Sequence, residues 1–154
     1  MAAVDLNVQG LDELNRKLQQ LANPRKAKSI ARKAARQAMN IARDAARTNA
    51  KAIDDPKTRE KIHKNIAVAG GKSRNPNEII MRVGVKGGAS FSNPNPPSLS
   101  GGDTRHWRWV ELGSSNNRAV PFMRPALSTN LDQITSKFVQ VFDDEINKAL
   151  SGVT

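Results

Sequence analysis

The chain has 154 residues, a length that suits one compact domain with a hydrophobic core and leaves little room for a second. Hydrophobic residues make up 38% and charged residues 25%, and no apolar run approaches the roughly 20 residues of a membrane span. With no cysteine and two histidines, the sequence disfavours a disulfide framework and a thiolate or histidine metal site. The first ten residues also lack the pattern of a secretory signal. We therefore expect a globular protein with no membrane association.

The net charge of +11 is concentrated in one segment of the chain. Residues 24–53 contain nine lysines and arginines and a single acid, Asp44. Such a stripe indicates a polyanionic neighbour: nucleic acid, an acidic protein surface or an anionic lining. A solvated helix face would show the same pattern. The candidates to face a polyanion are Arg32, Arg36, Arg43 and Arg47.

The first third of the chain reads as one short strand and two helices. Alternating apolar and polar residues predict a strand at 4–8, and leucines at three- and four-residue spacing predict a helix from 11 to 21. Pro24 suits the first turn of a second helix, which we predict over 24–53. Alanine dominates that helix, so its apolar face can lie close to a neighbouring element, while its arginines lie on the outer side.

The middle of the chain predicts a small hairpin. Residues 57–66 read as a short helical or turn element with Ile62 and Ile66 as anchors. The β-branched stretch at 78–85 predicts a strand, which we expect to pair with residues 65–69.

The last third predicts a loop, a strand and a long helix. Residues 86–104 contain four glycines and three prolines and predict a long flexible loop. The segment 106–112 reads as an aromatic strand, with Trp107 and Trp109 on the same face. An apolar stripe from 127 to 150 predicts a final helix that begins near Pro125.

Together these elements predict an α+β fold in a single domain over residues 1–154. We expect a small antiparallel sheet covered on one face by two long helices and by shorter helical elements.

Few residues in the sequence suggest chemistry. His63 and His106 lie in no nucleophile or metal motif, and we expect both to be ordinary surface or strand-edge residues. The acidic run 143–145 is expected to be a solvated helix face rather than a cation site. The glycine pairs lack the context of a phosphate-binding loop. We therefore predict no enzyme, no catalytic residues, no metal and no cofactor.

The aromatic residues late in the chain have two interpretations. Trp107 and Trp109 could stack on the bases of a single-stranded nucleic acid. Packing in the core or at a subunit interface is the stronger interpretation, because large aromatic side chains bury much area and often anchor interfaces.

The order of motifs along nearly the whole chain resembles the tail-component family of lambda-like long-tailed bacteriophages, whose members act as tail-completion or neck proteins. Two boxes carry most of the resemblance. Residues 109–114, WVELGS, are similar to the family's aromatic-hydrophobic-Glu-aromatic-Gly-Thr box, and residues 121–127, PFMRPAL, are similar to its PFxRPAL box. Leu112 stands where an aromatic residue is common, and Arg59 follows Thr58 where glycine is common.

The resemblance implies a structural virion protein at the head–tail junction, encoded by a phage or prophage and assembled in the host cytoplasm. Its partners would be neighbouring neck and tail proteins. Its copies would form a ring around the DNA passage, where they could make nonspecific contact with genomic DNA. A closed ring needs two complementary patches on each subunit. The subunit-interface candidates are Trp107, Trp109, Glu111, Phe122, Met123 and Arg124, and Arg124 is also a candidate salt-bridge partner of Glu111.

The alternative hypothesis is a sequence-nonspecific nucleic-acid-binding protein that uses the basic helix 24–53. Such a protein would retain useful affinity for nucleic acid near physiological salt, whereas a neck protein need not.

Overall fold

A computed structural model describes residues 11–92, 95 and 98–152. Within them the chain forms six helices and two strands, which confirms the α+β fold. The predicted strand at 4–8 lies outside the described residues. The elements in chain order are α1 (Leu11–Leu21), α2 (Pro24–Ile53), α3 (Ile62–Asn65), β1 (Ile66–Gly71), β2 (Ile80–Val85), α4 (Trp107–Leu112), α5 (Arg124–Ser128) and α6 (Leu131–Leu150).

Helix α2 is the axis of the fold, and its limits confirm the predicted helix 24–53. The Asn23 side chain accepts a hydrogen bond of 3.1 Å from the Lys26 N–H, and Pro24 occupies the first turn, where no N–H is needed. At the other end the Asp54 N–H donates to the Ala50 carbonyl. Small side chains at four-residue steps let neighbouring elements approach closely. The buried row is Ile30, Ala34, Ala38, Ala42, Ala46 and Ala50.

Two hydrophobic cores lie along α2. Its N-terminal half packs with α1 and α6 in what we call the α6 core, formed by Leu14, Ile30, Ala34, Val141, Phe142 and Ile146. Its C-terminal half packs with the hairpin and the short helices in the hairpin core, formed by Ala46, Ala50, Ile62, Ile66, Val85, Phe122 and Ala126. Ile62 and Ile66 are therefore the anchors that the sequence predicted.

Strands β1 and β2 form the predicted antiparallel hairpin. Ile66 lies opposite Val85 at the open end of the hairpin, and Gly71 lies opposite Ile80 near its turn. Helix α2 packs against both strands, whereas α6 packs along α2 and α1. The sheet of the described residues is this hairpin.

The predicted aromatic strand at 106–112 is wrong, because this segment forms helix α4. Six residues are too few to separate the period of a strand from that of a helix, and two tryptophans two residues apart imitate strand alternation. In the helix, Trp107 and Val110 pack against the hairpin core, whereas Trp109 is 54% exposed. The two tryptophans therefore do not share a face. Helix α4 ends at Gly113, whose φ of 79° favours glycine.

The predicted final helix is divided into α5 and α6. Pro125 lies in the first turn of α5, as predicted, and α5 ends at Ser128. The Thr129 hydroxyl donates to the Pro125 carbonyl at 2.7 Å, and the Asn130 amide donates to the Ala126 carbonyl at 2.8 Å. These bonds satisfy carbonyls at the end of α5 and mark the break before α6.

The described residues of loop 86–104 form no helix or strand, and the end of the loop is fixed on α3. Buried Asn65 donates from its amide to the Gly102 carbonyl at 3.0 Å and to the Thr104 hydroxyl at 2.7 Å, and it accepts from the Gly101 N–H at 2.9 Å. A side chain at Gly101 would come within 2.3 Å of the Lys61 carbonyl. These bonds hold the last residues of the loop in place. For the rest of the loop, flexibility stays a prediction.

Candidate functional site

Glu111 is the centre of the region that the sequence singled out. It lies on α4 and is 3% exposed. Its carboxylate accepts three successive backbone N–H groups, from Phe122 at 2.7 Å, Met123 at 2.9 Å and Arg124 at 3.0 Å. One side chain therefore fixes the segment that leads into α5.

The predicted salt bridge between Glu111 and Arg124 is confirmed. The Arg124 Nε lies 3.2 Å from Glu111 Oε1, and its second guanidinium nitrogen donates to the Glu111 backbone carbonyl at 3.0 Å. Burial by itself would raise the pKa of Glu111, but the three N–H donors and the guanidinium outweigh burial and hold the pKa below its usual value. Glu111 is therefore ionised at neutral pH.

The subunit-interface candidates divide by exposure. Glu111 and Phe122 are buried inside the subunit, and Trp107 and Met123 are partly buried against the hairpin core. Arg124 and Trp109 are exposed. Of the predicted residues, Trp109 and Arg124 are therefore the ones that offer most of their surface to a neighbour, and their interface role stays a prediction.

Exposed apolar side chains surround α4. The ring of Phe91 stacks on Trp109 with centroids 5.2 Å apart, and the Arg105 guanidinium lies 4.6 Å from the centroid of Phe91. Leu112 lies three residues after Trp109, so the two share one face of α4. Val120 lies beside the helix, because its N–H donates to the Val110 carbonyl. We call Phe91, Trp109, Leu112 and Val120 the apolar patch; each is about half exposed.

Sequence reasoning missed three of the four patch residues. The missed residues are Phe91, Leu112 and Val120. The i, i+3 spacing of Trp109 and Leu112 would have indicated one helical face if the segment had been read as a helix. Phe91 lies in a loop, so only the folded chain shows that it stacks on Trp109.

The four arginines predicted to face a polyanion fall into two pairs. Arg32 and Arg36 are exposed. Arg43 pairs with neighbouring Asp44 at 2.8 Å. Arg47 donates twice to the Ile66 carbonyl, at 3.0 and 2.7 Å, and so joins α2 to β1. Arg47 therefore has a structural contact, whereas Arg32 and Arg36 are available to a ligand.

Arg32 and Arg36 line a groove between α2 and the turn of the hairpin, with a volume of about 490 Å³. Lys28 from α2 and Lys72 from the hairpin line it as well, and the Lys28 ammonium donates to the Pro76 carbonyl at 2.6 Å. We call Lys28, Arg32, Arg36 and Lys72 the basic groove. The candidates chosen from the sequence did not include the two lysines. Lys72 comes close to α2 only through the packing of the hairpin turn on that helix.

The acidic run 143–145 is not simply a solvated face, so that prediction was wrong for two of its residues. Asp143 pairs with Lys17 of α1, and Glu145 pairs with Lys33 of α2 at 2.8 Å. The hydrogen bond from Lys33 lowers the pKa of Glu145. These ion pairs join α6 to the two helices on which it packs.

His63 also has a partner that the sequence did not indicate. Its Nδ1 lies 2.7 Å from the Asp54 carboxylate, which also accepts the Ile62 and His63 N–H groups at 2.9 and 3.1 Å. Asp54 therefore caps the start of α3. Over residues 11–92, 95 and 98–152, no group of three or more His, Asp or Glu side chains is placed to hold a metal ion.

Comparison with known families confirms the resemblance that the motifs predicted. The sequence profile described as "Bacteriophage HK97-gp10, putative tail-component" matches residues 12–113, which is well over half of the chain. The match runs from α1 to the end of α4, so it includes the WVELG box and ends before PFMRPAL. No curated protein and no solved structure matches the chain. The chain belongs to the HK97-gp10 tail-component family of bacteriophages.

Proposed function

We propose that this tail component is a structural subunit of the head–tail junction, where its copies close into a ring around the DNA passage. Membership of the family makes the protein a phage tail component and therefore a virion protein. The observation that carries the finer proposal is the apolar patch, whose two α4 residues, Trp109 and Leu112, lie on the helix that Glu111 joins to Arg124.

The apolar patch has the character of a protein interface. Trp109 is 54% exposed and Leu112 is 55% exposed, although Trp107 and Val110 of the same helix pack against the hairpin core. Clustered exposed apolar side chains mark interaction surfaces, and tryptophan and arginine are enriched among the residues that dominate binding. The Arg124 side chain is 63% exposed while Glu111 fixes its orientation. It can therefore meet a carboxylate of a neighbour without losing much side-chain freedom.

A ring requires a second, complementary surface on each subunit. A second groove of about 190 Å³ lies between α2, β2 and α5. Its lining is apolar at Met39, Val83 and Leu127 and also includes Arg124. Leu127 is 44% exposed. We propose that this groove receives the apolar patch of the next copy, because each surface can remove the exposed apolar area of the other from water.

We propose no catalytic role. Glu111, the pair of Asp54 with His63, and the pair of Glu145 with Lys33 each hold secondary structure elements together. No helix of the described residues is both long and apolar enough to span a membrane.

The test removes the patch without disturbing the cores. We expect the double variant Trp109→Ser/Leu112→Ser to leave heads and tails unjoined in infected cells, as seen by electron microscopy of the lysate. Leu150→Ser is the matched control, because Leu150 is an exposed apolar residue at the far end of α6. Normal particles with the patch variant would contradict the proposal.

A further inference from the structure

We propose that the basic groove binds the phosphate backbone of duplex DNA. The groove brings Lys28, Arg32 and Arg36 of α2 together with Lys72 of the hairpin. The inference rests on the proposed function, because a ring around the DNA passage gives this groove a polyanion to meet. Its test uses the free protein and does not depend on ring formation.

The cations of the groove have no carboxylate partner. Within the part of the chain that the structure describes, Arg32, Arg36 and Lys72 form no ion pair, whereas Lys33 and Arg43 of the same helix do. The carboxylate that lines the groove belongs to Glu78, which accepts a hydrogen bond from the Ser73 hydroxyl. Several cations without ion-pair partners in a concave site raise the local concentration of a polyanion.

The spacing of the cations suits a row of phosphates. Lys28, Arg32 and Arg36 follow one another at four-residue steps on α2, so the row is about 12 Å long. Duplex DNA carries about one charge per 1.7 Å of its axis, and several phosphates therefore fall within that length.

The hairpin wall of the groove is open at Gly70. A Cβ at Gly70 would meet no atom within 4 Å, so the hairpin leaves space for a ligand there. Lys72 supplies the cation of this wall.

The lining favours a DNA backbone over the other polyanions. No aromatic residue is among the described residues that line the groove, so stacking on the bases of a single strand is not available. A protein partner would be expected to use apolar anchors. The large apolar residues that line the groove, Ile79, Ile80 and Met81, are partly buried. The exposed apolar patch lies instead at α4, which packs near Ala46, about 21 Å along α2 from Arg32.

The strength of binding follows from the number of phosphate contacts. Four contacts predict that the logarithm of the affinity falls with the logarithm of salt concentration with a slope of about −3.6. Affinity should then drop about 100-fold between about 50 and 200 mM salt. Weak binding at physiological salt lets DNA slide through the passage.

The experiment is a fluorescence anisotropy titration of the full chain with a short duplex of random sequence. We expect Arg32→Glu/Arg36→Glu to lower the affinity at least about tenfold at low salt and to reduce the slope to about −1.8. The matched control is Lys51→Glu/Arg108→Glu, which makes the same change in net charge at two exposed cations outside the groove. We expect the control to remain within about threefold of the wild-type affinity.

A second variant adds an acid without removing a cation. Gly70→Glu adds a carboxylate to the open wall of the groove, where a Cβ would meet no atom within 4 Å, and should also weaken binding. Circular dichroism and the unfolding midpoint of each variant should match those of the wild type.

Three results would overturn the inference. They are no binding of the wild type at low salt, equal loss of affinity in the groove variant and its control, and unchanged affinity in the groove variant. If the groove variant keeps DNA affinity but fails to join heads to tails, the partner is an acidic protein face. The patch variant Trp109→Ser/Leu112→Ser should bind DNA normally, so failure of the groove and failure of the ring proposal are separate outcomes.

Discussion

Glu111 and Arg124 contact each other in both directions. The carboxylate of Glu111 accepts the Arg124 backbone N–H at 3.0 Å, and the Arg124 guanidinium donates to the Glu111 backbone carbonyl at 3.0 Å. This reciprocal contact joins α4 to α5 across a polar loop, and α4 carries two residues of the apolar patch. The Glu111–Arg124 contact therefore also stabilises the surface that we assign to assembly.

Removing the Glu111 side chain should destabilise the subunit strongly. Glu111→Ala leaves the Phe122, Met123 and Arg124 N–H groups without their acceptor, and we expect a loss of about 3 kcal/mol in the free energy of unfolding. Glu111→Gln keeps the shape and one carbonyl oxygen, so its loss should be smaller. Chemical denaturation of the two variants measures this, and equal stability of Glu111→Ala and wild type would contradict the role of Glu111.

The same carboxylate should make stability depend on pH in acid. The folded state lowers the pKa of Glu111 from its usual 4.5, so its ionised form stabilises the fold above that pH. The contribution is lost as pH falls from about 4.5 through the lower folded pKa. We expect the difference in unfolding free energy between wild type and Glu111→Gln to be constant near neutral pH and to shrink in acid. A difference that grows on acidification would show that the pKa is raised instead.

The two tryptophans should differ in their effect on stability. Trp107 packs against the hairpin core and its Nε1 donates to the Gly88 carbonyl at 3.0 Å, so Trp107→Ala should cost about 2–3 kcal/mol. Trp109 is half exposed, so Trp109→Ala should cost about 1 kcal/mol or less. Urea denaturation midpoints compare the two. The same midpoint for both variants would contradict the helical arrangement of this segment.

Loop 86–104 should be the first site of proteolysis. Its glycine and proline content predicts a backbone without regular hydrogen bonds. Asn65 holds the end of the loop, and Trp107 and Arg105 bond to the Gly88 and Ser90 carbonyls near its start. We expect limited proteolysis to cut between Phe91 and Gly101 in the wild type, and Asn65→Ala to add cleavage between Gly101 and Thr104. First cleavage within α2 would show that the flexible segment lies elsewhere.

Most of the fold could be predicted from periodicity and from local stop signals. The ends of α1 and α2 and the hairpin followed from leucine spacing, from Pro24 and from β-branched residues. Helix α4 could not be predicted, because it is short and the burial of Glu111 depends on donors from a segment 11 residues away. Contacts with residues distant in sequence determine the structure of such short segments. Hydrophobic periodicity carries no information about those contacts.

The candidate site was only partly predictable for the same reason. The Glu111–Arg124 pair followed from the motifs, since Arg124 lies between two prolines on a stiff backbone and the other box supplies Glu111 as an acidic partner. The basic groove did not, because Lys72 reaches α2 only when the hairpin folds back on it. Nor could the sequence show that Arg47 donates to the Ile66 carbonyl rather than facing a ligand.

The most direct test of the account is an electron cryomicroscopy reconstruction of the assembled phage particle. The account predicts density for this chain as a ring at the head–tail junction, with Trp109 and Leu112 buried against the neighbouring copy. Density for the chain elsewhere in the tail, or Trp109 facing solvent in a junction ring, would contradict it.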